Sequence, residues 1–171
     1  MIVGSILENQ NFEKRVAVVP EIIKKYKSLN CEVHLIKDYG KHLGIRDDEY
    51  EKAGATIFED NKKLIESADL IVQMGLLDAN YFPILKTNQT IIGVLDSYNN
   101  NDKLLELSKK KINLFSLELL PRITRAQSMD VLSSQANLAG YKAVVESFSI
   151  YERAIPMMMT AAGTVPAAKV L

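Results

Sequence analysis

The chain has 171 residues, 47% of them hydrophobic and 25% charged, with 21 Lys+Arg against 21 Asp+Glu. This is the profile of a globular protein of one domain, or one domain and a fragment, and the balanced charge excludes a basic field for nucleic acid or an anionic membrane. Cys31, His34 and His42 are the only cysteine and histidines, which excludes an internal disulfide and a zinc-spaced cluster.

Short β-rich runs alternate with helical stretches almost to residue 120. Met1–Leu7 reads as a first strand, with no basic stretch ahead of it to make a secretory signal, which points to a cytoplasmic address. Pro20 suits the first turn of a helix, where its missing N–H costs nothing, and Ile22, Ile23, Tyr26 and Leu29 then share one face. Cys31–Ile36 is a second strand, Asp47–Ala53 a short helix stopped by Gly54, and Ala55–Phe58 a third strand. Asn61–Ser67 reads as helix, Leu70–Val72 as strand, Asn80–Leu85 as a short helix and Thr90–Leu95 as strand. A turn at Asn99–Asn101 precedes a helix over Lys103–Lys110, and Ile112–Leu117 is the last strand. Apolar runs of this kind, alternating with helices, predict a doubly wound α/β domain with a mostly parallel sheet, Rossmann- or flavodoxin-like, its strands buried on both faces.

The pattern changes after Pro121. A polar stretch to Asp130 leads into a long connecting helix, roughly Ser133 to Glu152. One face carries Leu138, Tyr141, Val145 and Phe148 and should fill a core; another carries Ala136, Ala139, Gly140 and Ala143 and should admit a close neighbour. Met157–Met159 reads as gap-filling at a domain junction. Lys169–Leu171 looks like the opening of a strand without a partner. The expected organisation is an α/β domain over 1–126, a connecting segment and helix over 127–153, and the truncated start of a further domain over 154–171.

No Gly-x-Gly-x-x-Gly occurs, and Leu7-Glu8-Asn9 after the first strand cannot replace a phosphate-binding glycine loop. Glu13-Lys14-Arg15 is either a solvated charge cluster or places Arg15 at the ligand-binding edge of the sheet. The polar stretch Arg122–Asp130 gathers two arginines, a glutamine, a serine and an aspartate at one crossing point. Helix capping by Asp130 and Ser133 accounts for part of it, and a ligand site accounts for the rest. Neither histidine has an acid at a spacing that suggests a nucleophile–base pair.

Three stretches together, Asn11–Pro20, Arg122–Tyr141 and Met157–Pro166, resemble the family of alanine dehydrogenase and the NAD(H)-binding component of proton-translocating NAD(P) transhydrogenase. The second stretch is similar to the transhydrogenase branch. The resemblance implies a Rossmann-like N-terminal domain, and a long helix leading to a dinucleotide-binding domain whose glycine loop lies beyond Leu171. It implies NAD(H) as cofactor, with Arg122, Gln127, Asp130 and Ser133 on the nicotinamide side. It also implies NADP(H) on a partner component, a membrane component that moves the protons, a homodimer, and attachment to the membrane through those partners without insertion of this chain. Hydride transfer between two nicotinamides needs orienting groups and dryness rather than a side-chain acid or base, so no catalytic residue is expected. The isolated chain should be inactive. The alanine dehydrogenase branch would need an arginine, a lysine and a histidine here. Arg15 matches the first, but Leu70–Gly75 contains no lysine and Leu95–Ser97 no histidine. A non-catalytic α/β interaction domain is the remaining alternative.

Overall fold

The computed structural model describes residues 1–169. Val170 and Leu171, in the expected strand opening, lie outside the described residues. The chain forms two compact units, Met1–Met129 and a second that begins at Asp130.

In the first unit the elements follow as β1 (Ile2–Ser5), α1 (Pro20–Ser28), β2 (Glu32–Ile36), α2 (Asp47–Ala53), β3 (Ala55–Phe58), α3 (Asn61–Ser67), β4 (Leu70–Val72), β5 (Thr90–Gly93), α4 (Asn101–Lys109) and β6 (Asn113–Ser116). The strands make one sheet in the order β3-β2-β1-β4-β5-β6. Every neighbouring pair is parallel. This is the doubly wound α/β architecture expected, its order reversing between β1 and β4.

Local chemistry explains the elements. Val3, Leu35, Ile71 and Ile91 on the four central strands are all fully buried. Pro20 opens α1 and Ile23 turns into the core. The Asp60 carboxylate accepts the Lys62 amide at 2.8 Å and caps α3. Gly54 ends α2 with a φ of 105°. At Gly4 a side chain would stand 2.8 Å from Ala68 Cβ and 2.9 Å from Leu64 Cδ2, so α3 lies directly on β1.

Two expectations are corrected in detail. The predicted helix over Asn80–Leu85 is a 3-10 turn, Ala79–Ile84, with Pro83 inside it; a residue without an N–H cannot continue an α-helical ladder. The last strand is not buried on both faces: along β6, Asn113 and Phe115 are exposed while Leu114 and Ser116 are half-buried, as befits an edge strand covered on one side.

The second unit holds α5 (Val131–Ile150) and a two-stranded antiparallel hairpin, β7 (Met158–Thr160) and β8 (Gly163–Val165). The long helix is present, starting and ending two residues earlier than expected. None of its residues is buried, and Leu138, Tyr141, Val145 and Phe148 are exposed where a core-filling face was expected. A unit of about 40 residues has too little chain to cover a 20-residue helix. Lys142 and Glu146 pair along it and are its only charged residues. Met157–Met159 are likewise exposed, Met158 and Met159 on the hairpin. Among the described residues no helix is long and apolar enough to cross a membrane.

Candidate functional site

Open α/β sheets bind ligands outside the C-terminal ends of their strands, where the strand order reverses. Here that point lies between β1 and β4. It carries a crevice of about 330 Å³, lined in part by Leu7, Glu8, Gln73, Leu76 and Tyr81. A hydrogen-bonded network forms its wall. Tyr39 Oη accepts from the Ala17 and Val18 amides at 3.1 and 3.2 Å, which leaves its own proton for Ser5 Oγ at 2.7 Å. Ser5 Oγ in turn reaches Val72 O at 2.7 Å and Gln73 Oε1 at 2.9 Å. Gln73 Oε1 also accepts the Ile6 amide at 2.9 Å. Glu8 Oε1 accepts from the Met74 amide at 2.6 Å, and from the Gly75 amide and Gln73 Nε2 at 3.2 Å each.

Burial pushes the Glu8 carboxyl above the usual carboxylate range, and the Met74 and Gly75 amides oppose that shift. The backbone N–H groups at this point are thus spent on a carboxylate of the protein itself. A pyrophosphate needs free N–H donors and no anion beside it. The crevice does not fit the phosphate half of a dinucleotide.

The residues that would carry alanine dehydrogenase chemistry are engaged otherwise or replaced. Arg15 forms a bidentate ion pair with Glu13, Nε at 2.9 Å and Nη2 at 2.6 Å. That pairing holds the Glu13 carboxyl low. In Leu70–Gly75, where a lysine is needed, Gln73 is locked into the network above. In Leu95–Ser97, where a histidine is needed, the loop is clamped by a carboxylate.

That carboxylate is Glu118, in the 3-10 turn Leu117–Leu119 that follows β6. Its Oε1 lies 2.9 Å from the Ser97 amide, 2.7 Å from Ser97 Oγ and 2.6 Å from Ser116 Oγ. Its Oε2 accepts the Leu95 amide at 3.2 Å. The two serine hydroxyls also approach each other to 2.7 Å, so two hydroxyl protons serve three contacts. Burial acts to raise the Glu118 pKa, and the donors from Ser116 and Ser97 together outweigh it, leaving the carboxyl at about 2.

The chain then runs without glycine from Leu117 to Ser133. Pro121 restricts its start, the Ile123 amide bonds Pro121 O at 2.9 Å, and Ala126, buried, anchors the 3-10 turn Thr124–Met129. Of the four residues singled out in the sequence, Arg122 stands just before this turn and Gln127 within it, both exposed. The structure brings Asp130 and Ser133 together at the head of α5. Asp130 Oδ1 accepts the Ser133 amide at 2.9 Å and Oδ2 accepts Ser133 Oγ at 2.7 Å. This is an N-cap with the hydroxyl added. Because Ser133 donates to Asp130, its oxygen keeps lone pairs to accept from a ligand, and the carboxylate keeps further acceptor capacity.

With this geometry in place, the comparisons with known proteins decide the family. The alanine dehydrogenase/PNT N-terminal domain matches residues 4–139. The chain belongs to that family. Within the alanine dehydrogenase/PNT family it is 41% identical to the first of the polypeptides that make up NAD(P) transhydrogenase subunit alpha in Rhodospirillum rubrum, covering 96% of this chain and 44% of that one. It is 37% identical to the polypeptide of the same name from Rickettsia prowazekii, over 100% of this chain and 46% of the relative. The crystal structure of transhydrogenase from Sinorhizobium meliloti superposes with a TM-score of 0.90 at 44% identity, covering 98% of this chain and 50% of that one. The chain thus corresponds to the N-terminal region of a transhydrogenase alpha subunit and spans about half the length of the relatives it matches. The family domain and its Rossmann-like sheet point to NAD(H) as the cofactor class.

Two features escaped the sequence reading: the Glu8–Gln73 network and the Glu118 clamp. The available signal was the same for each. Gln73 and Ser116 are polar residues placed at the C-terminal ends of apolar runs, where a buried strand has no use for them unless something accepts their hydrogen bonds.

Proposed function

We propose that this chain is part of the NAD(H)-binding component of a proton-translocating NAD(P) transhydrogenase, and that its segment Arg122–Ser133 supplies the groups that orient the nicotinamide. The observation that carries the reading is similarity to transhydrogenase alpha subunits along essentially the whole chain, including the glycine-free segment that bears the four polar residues. When bound, the NAD(H) nicotinamide supplies the hydride, and NADP(H) held on a partner component receives it. Arg122 and Gln127 offer donors to the carboxamide oxygen, and Asp130 with Ser133 Oγ offers acceptors to its amide. None of the four is required to take up or release a proton. Their work is to fix the approach of the ring and to help exclude water. Proton movement belongs to a membrane component, to which this chain attaches as a peripheral part, and the component acts as a homodimer. The 171-residue chain by itself lacks a phosphate cradle and catalyses no transfer.

The test is the rate of hydride transfer in the assembled enzyme, measured beside NADH affinity. Arg122→Ala and Asp130→Asn should slow transfer by about tenfold or more while NADH affinity falls less, the signature of an interaction that matters most in the transition state. Equal losses in both would reduce these residues to ordinary binding contacts.

A further inference from the structure

The geometry points to Glu118 as a positioning residue for the nicotinamide-orienting segment, an inference that rests on the function proposed above. Glu118 stands four positions before Arg122, and its carboxylate is the point at which the departing segment is tied to the rest of the sheet edge. From one side it is reached by Ser116 at the end of β6, and from the other by Leu95 and Ser97 in the loop after β5. The register that pairs Gly93 with Ser116 brings these two strand ends side by side. The loop after β5 is itself held. Asn100 Nδ2 donates to Leu95 O at 2.9 Å, and Asp96, with a φ of 51°, receives Asn99 Nδ2 on both carboxylate oxygens at 3.0 Å. Glu118 therefore binds to a fixed frame rather than to a loose loop.

Stiffness carries the effect onward. The Leu120 amide bonds Leu117 O at 3.3 Å, Pro121 follows, the Ile123 amide returns to Pro121 O, and Ala126 is buried. No glycine offers a hinge between the clamp and Gln127. A shift of the Leu117–Leu119 turn is passed to Arg122 and Gln127 instead of being absorbed.

The chemistry requires a carboxylate. Both oxygens of Glu118 face donors only. In Glu118→Gln one of them becomes an NH2 group that must meet either the Leu95 amide or the serine hydroxyls, donor against donor. The segment then moves, and alignment of the ring, on which hydride transfer depends steeply, is lost.

The experiment uses the whole subunit assembled with its partner components, and compares Glu118→Gln, Ser97→Ala and Arg122→Ala. Three quantities are read: hydride-transfer rate per folded subunit at saturating nucleotide, NADH dissociation constant, and thermal midpoint. Glu118→Gln is expected to slow transfer by about tenfold, with the NADH dissociation constant changed less than about threefold. Ser97→Ala, which removes one donor and keeps the carboxylate, is expected to shift the rate in the same direction by a smaller factor. It carries the decision if Glu118→Gln fails to fold. A lowered thermal midpoint with an unchanged rate per folded subunit, in both clamp variants, would make Glu118 a merely structural residue and overturn the inference. If Arg122→Ala slows transfer and the clamp variants do not, only the positioning role fails. If Arg122→Ala also leaves the rate unchanged, the underlying reading of the segment falls and takes this inference with it.

Discussion

The sheet of the first unit and the helix α5 of the second use the same kinds of apolar residue to different ends. On the sheet, Val3, Leu35, Ile71 and Ile91 are fully buried, each covered by chain from the same unit. On α5, Leu138, Tyr141, Val145 and Phe148 are exposed. An apolar side chain stabilises a fold only where other chain removes it from water. The stability of this protein therefore resides in residues before about 120, whereas the polar segment that follows is set by hydrogen bonds at the edge of that stable unit.

The strongest way to break this contrast is to remove apolar volume from the sheet. Ile71→Ala should cost about 2–5 kcal/mol in chemical denaturation, since the cavity lies where nothing can collapse into it. Next comes Gly93→Ala. A Cβ there would stand 2.6 Å from the Gln73 carbonyl oxygen, a backbone atom that cannot rotate away, and the cost should be about 1–3 kcal/mol.

A smaller effect, on the order of 1 kcal/mol after solvent screening of partly exposed groups, should appear in the pH dependence. Glu118 is held below its ordinary value of 4.5, at about 2, so its contribution is present above pH 4.5 and is lost as pH falls toward 2. Glu8 is shifted upward, so its contribution is present below pH 4.5 and is lost as pH rises through its folded value. Denaturation profiles should show Glu118→Gln flattening the acid limb and Glu8→Gln raising stability on the neutral side. Identical profiles for the two variants would contradict the opposite environments assigned to them. The smallest effect belongs to α5: Phe148→Ala in this chain should change stability by less than about 0.5 kcal/mol. A loss comparable to that of Ile71→Ala would mean that the helix is packed after all.

What the sequence made legible follows the same division. Leu70–Val72 and Thr90–Gly93 were readable as buried strands because their apolar runs are continuous and short. The cap formed by Asp130 and Ser133 was readable from residue type and spacing alone. The surroundings of α5 were not, because helical spacing records which residues share a face and says nothing about what meets that face. The 3-10 form of Ala79–Ile84 was masked by its helix-like composition despite Pro83. The Glu118 clamp was invisible for a further reason: Leu95 and Ser97 are more than twenty residues away, and only the parallel register of β5 with β6 brings them to it. Arg122 and Gln127 came to notice through resemblance, since their exposure alone would make them ordinary surface residues.

The central claim is that this chain orients a nicotinamide without holding the dinucleotide's phosphates. Titration of NADH fluorescence with this chain, beside the whole subunit, tests it most directly. The account predicts binding by the whole subunit and at most very weak binding by the 171-residue chain, because Glu8 occupies the backbone donors that a pyrophosphate would need. Tight binding by the 171-residue chain alone would contradict it and would place the cofactor in the first unit.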